Sequence, residues 1–143
     1  MSIVEIHADQ YRVPLENLLS DSTHGEMTDF GLIVVRLVDE NGRVGLGYTY
    51  TVNTIGACAV WKIVESDLAP LLQGADPDAI DTLWQRMWWH LHFVGRGGMA
   101  SFAMAAVDIA LWDLRGHRES LALWRLLGGR HSEVSAYAGG IDL

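Results

Sequence analysis

The chain has 143 residues, half of them apolar, enough to bury one real core, and the length favours one domain. A formal net charge of −8 and a sequence pI near 5.0 argue against a nucleic-acid backbone or an anionic membrane surface as partner. Cys58 is the only cysteine, so no intrachain disulfide can form; the residue reads as a small core side chain. The start MSIVEIHADQYRV lacks a basic segment followed by an apolar run, so no signal peptide is visible, and a cytoplasmic location is expected.

Ile3 to Val13 is strand-like, and Pro14 with the polar stretch to Asn17 is expected to close it. Leu18 to Asp29, LLSDSTHGEMTD, has no helical or strand period and reads as a loop. Phe30 to Val38 is rich in β-branched residues. The turn signal Asp39-Glu40-Asn41-Gly42 leads straight into Val44 to Val52, which predicts a hairpin. With the first segment this makes a three-stranded antiparallel meander whose apolar face needs helices to cover it.

A first helix is predicted from Thr54 to Leu72, with Ala57, Val60, Trp61, Val64, Leu68 and Leu71 inward and Pro70 as a stop or tightening. Asp76 as N-cap and Pro77 in the first turn predict a second helix carrying Ile80, Leu83, Trp84, Met87, Trp88 and Leu91. The stretch Gly97 to Gly116, GGMASFAMAAVDIALWDLRG, is apolar around most of its circumference and reads as the buried axle of the helical layer. Ser101, Asp108 and Asp113 interrupt it too often for a membrane span, which needs about eighteen apolar residues in a row. A short last helix, Leu121 to Leu127, ends at Gly128-Gly129, and Val134 to Tyr137 looks like a strand without a sheet.

The chemical candidates are few. His90 and His92 stand about 200° apart on a helix, so a shared metal is not expected, and the other histidines show no ligand spacing. Gly45-Leu46-Gly47 fails as a dinucleotide fingerprint because no third glycine and no helix follow. Gly95-Arg96-Gly97-Gly98 before a helix suits either an anion or, more simply, an interhelical turn. Asp108 needs a partner in an apolar helix, and Arg115, seven residues on, is the candidate. The six tryptophans follow helical periods and read as core. Two polar segments remain: Asp21, Ser22, Thr23 and His24, and Tyr48, Thr49, Tyr50 and Thr51. Their hydroxyls and imidazole suit a polyhydroxylated ligand, though such loops are also ordinary solvated surface.

The meander, then AVDIALWDLRG, LWRLLGG and VSAYAGG in that order, resembles the N-terminal capping domain of the enolase superfamily, in its mandelate racemase / muconate lactonizing enzyme branch. LSDSTHG at Leu19 to Gly25, GYTYT at Gly47 to Thr51 and VGRGG at Val94 to Gly98 look like the acid-sugar dehydratases acting on galactarate or talarate. Ala122 departs from the pattern, which usually has proline before the last helix.

The resemblance implies an α+β fold: a three-stranded antiparallel meander, a bundle of three to four helices, and the start of a (β/α)-barrel strand. It divides the chain into a capping domain, 1–130, and a linker with the first barrel strand, 131–143. It implies a domain that closes over a barrel holding Mg²⁺ and the catalytic bases, none of which this chain supplies. Ser22, Thr23, His24, Tyr48 and Tyr50 are then the expected substrate contacts, with a hydroxylated carboxylate as substrate and the barrel and a homo-oligomer as partners. The leading expectation is the substrate cap of a Mg²⁺-dependent acid-sugar dehydratase, catalytically inert without its barrel. A 2-hydroxy-acid racemase of the same family and a free-standing protein-interaction module are the alternatives.

Overall fold

The computed structural model describes residues 1–137. Strands β1 (Ile3–Asp21), β2 (Gly25–Asp39) and β3 (Val44–Val52) form one antiparallel sheet in the order β1-β2-β3. A helical run follows, built from α1 (Ala57–Ile63), a π-helical turn (Val64–Leu68) and α2 (Ala69–Leu72). Then come α3 (Ile80–His90), α4 (Met99–Glu119) and the short α5 (Leu123–Leu126). Counting the run as one helix, this is the expected meander with four helices among the described residues.

The alternation in β2 sets the layers. Ile33, Val35 and Leu37 are fully buried beneath the helices, whereas Phe30, Leu32 and Val34 turn to the outer face. The core continues through Val60, Val64, Leu68 and Leu72 of the helical run, Leu83 and Met87 of α3, and Ala103, Val107 and Leu111 of α4. Gly45 and Gly47 of β3 have no side chain between strand and helix, so the α4 backbone rests directly on the sheet.

Both edges of the sheet are covered by helix side chains. On β1, Trp61 Nε1 donates to the Ala8 carbonyl at 2.8 Å, and the Glu65 carboxylate accepts the Ala8 amide. On β3, Asp113 Oδ2 accepts the Leu46 amide at 2.8 Å and His117 Nδ1 donates to the Val44 carbonyl at 2.8 Å. The outward backbone groups of Ala8, Val44 and Leu46 are thereby occupied rather than left to template another strand.

Several expectations are corrected. Pro14 does not end β1: the register shifts between Pro14 and Leu19, and pairing resumes at Leu19↔Met27 and Asp21↔Gly25. On an edge strand the missing amide costs no ladder bond. The expected loop at 18–29 is therefore mostly a β-arm, and Thr49 to Thr51 lie within β3 rather than in a loop. Asp76 shapes a turn, accepting the Asp78 amide at 3.1 Å, and α3 starts four residues later. The axle helix runs through Gly116 to Glu119, and one stripe of it, with Phe102 and Ile109, remains exposed. Cys58 is exposed rather than buried, because α1 turns Ala57 and Val60 inward instead. The strand expected at 134–137 is not formed, and the rest of the expected linker and barrel-strand segment, 138–143, lies outside the described residues.

The Asp108–Arg115 bridge is absent as well. Arg115 Nε reaches Glu119 at 3.1 Å, one turn on. Asp108 is half-buried with no ion pair among the described residues, and burial, with a smaller contribution from the Asp81 carboxylate, raises its pKa.

Candidate functional site

The β1–β2 arm ends in a tight turn organised by Asp21. Its Oδ1 accepts the amides of Thr23 at 2.8 Å and His24 at 2.5 Å, while Oδ2 lies 2.7 Å from His24 Nδ1. Hydrogen bonds from the His24 amide, and next from its ring, hold the Asp21 carboxyl below the ordinary carboxylate range. Gly25 follows with φ +67°, a left-handed conformation that glycine adopts without strain.

Asn53 ties this arm to the end of β3. Its Oδ1 accepts the Thr28 amide at 2.9 Å and its Nδ2 donates to the Glu26 carbonyl at 2.8 Å. Asn53 and Thr54 both have left-handed backbones, φ 50° and 56°, so the chain turns sharply here before α1. Asp29 lies beneath: Arg12 and Thr28 donate to its Oδ2, and the Arg12 guanidinium is the main reason its carboxyl titrates below the usual range.

The arm tip and the β3 end enclose a cavity of ≈ 600 Å³ lined by Thr23, His24, Thr49 to Asn53, Ile55 and Phe102. It is apolar at Ile55 and Phe102 and carries hydroxyls, an amide and one imidazole elsewhere, a combination suited to a small polyhydroxylated molecule. The Thr51 hydroxyl oxygen is buried without a hydrogen-bond partner among the described residues, and Asp29 Oδ1 likewise.

Of the five sequence-predicted site residues, Thr23, His24 and Tyr50 line this cavity. Ser22 is exposed on the turn beside it. Tyr48 points to the outer sheet face and lines a separate depression with Leu32, Val34, Leu46 and Gly47. Asn53, Ile55 and Phe102 were not foreseen. A non-glycine residue able to hold a left-handed turn was the one available signal for Asn53.

Gly95 to Gly98 lies in the turn between α3 and α4, the simpler of the two expected readings. The Arg96 guanidinium stacks over Trp88 at 5.3 Å and Trp89 at 5.5 Å. Among the described residues no three His, Cys, Asp or Glu converge to hold a metal ion, so these residues do not fit a magnesium site. Among the described residues no helix is long and apolar enough to cross a membrane.

Residues 6–128 match the N-terminal domain of the mandelate racemase / muconate lactonizing enzyme family. The chain belongs to that family. It is a capping domain of the enolase superfamily, and its fold is the one the family resemblance implied. It is 56% identical over 141 residues to 3,6-anhydro-alpha-L-galactonate cycloisomerase of Streptomyces coelicolor, covering 99% of this chain and 39% of that protein. L-talarate/galactarate dehydratase of Salmonella typhimurium is 32% identical over 111 residues, 78% of this chain and 27% of the relative. A crystal structure of a racemase from Streptomyces coelicolor with bound magnesium superposes with a TM-score of 0.94 at 55% identity, covering 99% of this chain and 39% of that one. L-Talarate dehydratase from Polaromonas, complexed with Mg and L-glucarate, gives a TM-score of 0.83 at 30% identity over 91% of this chain and 36% of its own. The capping domain thus spans well under half the length of these relatives.

Proposed function

We propose that this capping domain closes the substrate end of an enzyme acting on hydroxylated carboxylates. The observation that carries the reading is the meeting of the Thr23-His24 tip with the β3 end around one cavity that joins hydroxyls and an imidazole to apolar side chains. Thr23, His24 and Tyr50, with Ser22 at the rim, are the groups we assign to the substrate's hydroxyls. Tyr48 shares the outer face of β3 with Tyr50 and lines the neighbouring depression. Closing the cap also excludes water from the reacting centre. Magnesium would be held by a barrel domain following this chain, which would also supply the base that removes the proton α to the carboxylate.

The preferred reaction is the opening of an anhydro-sugar acid. Identity of 56% over nearly the whole chain to a cycloisomerase, against 32% over 78% to a talarate/galactarate dehydratase, favours it over the dehydration expected from the sequence motifs. The test is to assay the full-length enzyme with magnesium on 3,6-anhydro-L-galactonate, L-talarate and galactarate, following the keto-acid product. Turnover of the anhydro acid at least tenfold above the other two supports this reading. Preferred turnover of a diacid returns the function to dehydration, and inertness toward all three contradicts the proposal.

A further inference from the structure

The outer face of the sheet is not written for water. An antiparallel sheet packed on one side ordinarily turns polar side chains out on the other. Across β1, β2 and β3 the middle rows of this outer face read Tyr11-Leu32-Tyr50 and Asp9-Val34-Tyr48. The three tyrosines are half-exposed. With the aliphatic side chains between them they leave one apolar patch of roughly 500 Å², at the upper end of what a monomer shows. Its charges stand at the rim and are answered there: Asp9 lies 3.2 Å from His7, and Arg36, in the next row, pairs with Glu5.

Three features decide what covers this face. At both edges of the sheet the backbone groups of Ala8, Val44 and Leu46 are already bonded to helix side chains, so a partner lies on the face rather than along an edge. The chain runs out from α5, which the Leu121 amide ties back to the Gly116 carbonyl of α4, and α4 rests on the inner face. A domain following α5 is therefore delivered to the helical side and leaves the outer face open. With a net charge of −8, two copies repel wherever their acids meet, but the middle rows hold no charge other than Asp9 at the β1 margin.

We infer that the outer sheet face is the contact with a second copy of this protein, the two sheets packed face to face about a two-fold axis. The patch supplies the apolar centre, and Glu5, His7 and Arg36 belong to the polar rim. Together they reach the about 800 Å² a side that a stable interface takes. At the end of the patch nearest the arm, Tyr50 meets Phe30 edge-on at 5.4 Å and also lines the cavity. The second copy thereby covers the outer side of one cavity wall. The interface holds whichever substrate the enzyme acts on.

Sedimentation equilibrium of the full-length enzyme, without substrate, tests it. The variants are Leu32→Glu at the centre of the patch, Tyr11→Glu on its β1 side, and Phe93→Glu on the α3–α4 loop, an exposed apolar side chain outside the sheet. Wild type is expected as a dimer or a multiple of one. Leu32→Glu and Tyr11→Glu should sediment at half the wild-type mass, since each buries an unpaired carboxylate on both sides of the contact and weakens it about a hundredfold or more. Phe93→Glu should keep the wild-type mass. Circular dichroism identifies a variant that has not folded, and Tyr11→Glu, half in solvent on an edge strand, decides the matter if Leu32→Glu is one. A monomeric wild type overturns the inference and gives the face to the following barrel. Unchanged mass in the folded patch variants, or the same loss in Phe93→Glu, overturns it too. A dimer that dissociates as expected but turns over no acid sugar contradicts the proposed function alone.

Discussion

Gly47 meets Ala106 backbone to backbone: a Cβ added at position 47 would stand 2.0 Å from the Ala106 carbonyl oxygen. Gly45 stands in the same relation to Ala110, at 2.2 Å. Neither neighbour is a flexible side-chain tip that can swing away, so a methyl group at either position must lift α4 off the sheet. Gly47→Ala is expected to cost about 3 kcal/mol or more, the scale of a forced backbone shift in a packed core. Urea denaturation measures it; a loss below about 1 kcal/mol would mean that α4 can slide without penalty.

Asn53 is the clamp between the arm and the sheet. Asn53→Ala removes two hydrogen bonds and places alanine at φ 50°, whereas Asn53→Gly removes the same bonds without backbone strain. Amide exchange at Thr28 should quicken about tenfold in both, the consequence of losing roughly 1–1.5 kcal/mol of local protection. Only the alanine variant should also lose global stability. Unchanged exchange at Thr28 would show that β-pairing alone holds the arm.

The carboxylates predict opposite pH effects. Asp21, Asp29 and Glu119 all have folded-state pKa values lowered by hydrogen bonds. Their contribution is therefore complete above the ordinary carboxylate value of about 4 and is lost as pH falls through the lowered folded values. Asp108 is raised, chiefly by burial, so its effect has the other sign: nothing is lost below the ordinary value, and stability falls as pH rises through the folded value. Asp108→Asn should raise Tm at pH 7 and make little difference at pH 3. Equal shifts at both pH values would contradict this assignment.

Tyr50 and Tyr48 stand two residues apart on one strand but line different depressions. In the full-length enzyme, Tyr50→Phe should raise KM about fivefold, the loss of one hydrogen bond of roughly 1 kcal/mol. Tyr48→Phe should leave KM unchanged. Steady-state kinetics on the preferred acid sugar distinguishes them, and equal effects would dissolve the distinction.

What the sequence made legible follows from where signals are local. The β2–β3 hairpin is written in Asp39-Glu40-Asn41-Gly42, and α4 in a largely apolar run, so both were readable from neighbouring residues alone. The β1–β2 arm was not. Much of its surface lies in solvent, so no alternation marks it, and it is held by backbone pairing and by Asn53, twenty-five residues from its partner Thr28. The partner of Arg115 was misjudged for a related reason: seven residues share a helix face but lie two turns apart, whereas Glu119 is one turn away. For the site, residue chemistry picked out Thr23, His24 and Tyr50. Tyr50 and Tyr48 share the outer face of β3, and Tyr50 is the one nearer the strand's end and the arm tip, while the packing of α4 brings Phe102 to the same cavity.

The most direct test of the central proposal is the intact mass of the product in its source cells, taken by mass spectrometry after capture with an antibody to this domain. If the chain caps a barrel, the captured species should be roughly 40 to 45 kDa, as a following domain of about 250 residues requires. A species of 15.8 kDa, the mass of these 143 residues alone, would contradict it and leave an interaction module in place of an enzyme's cap.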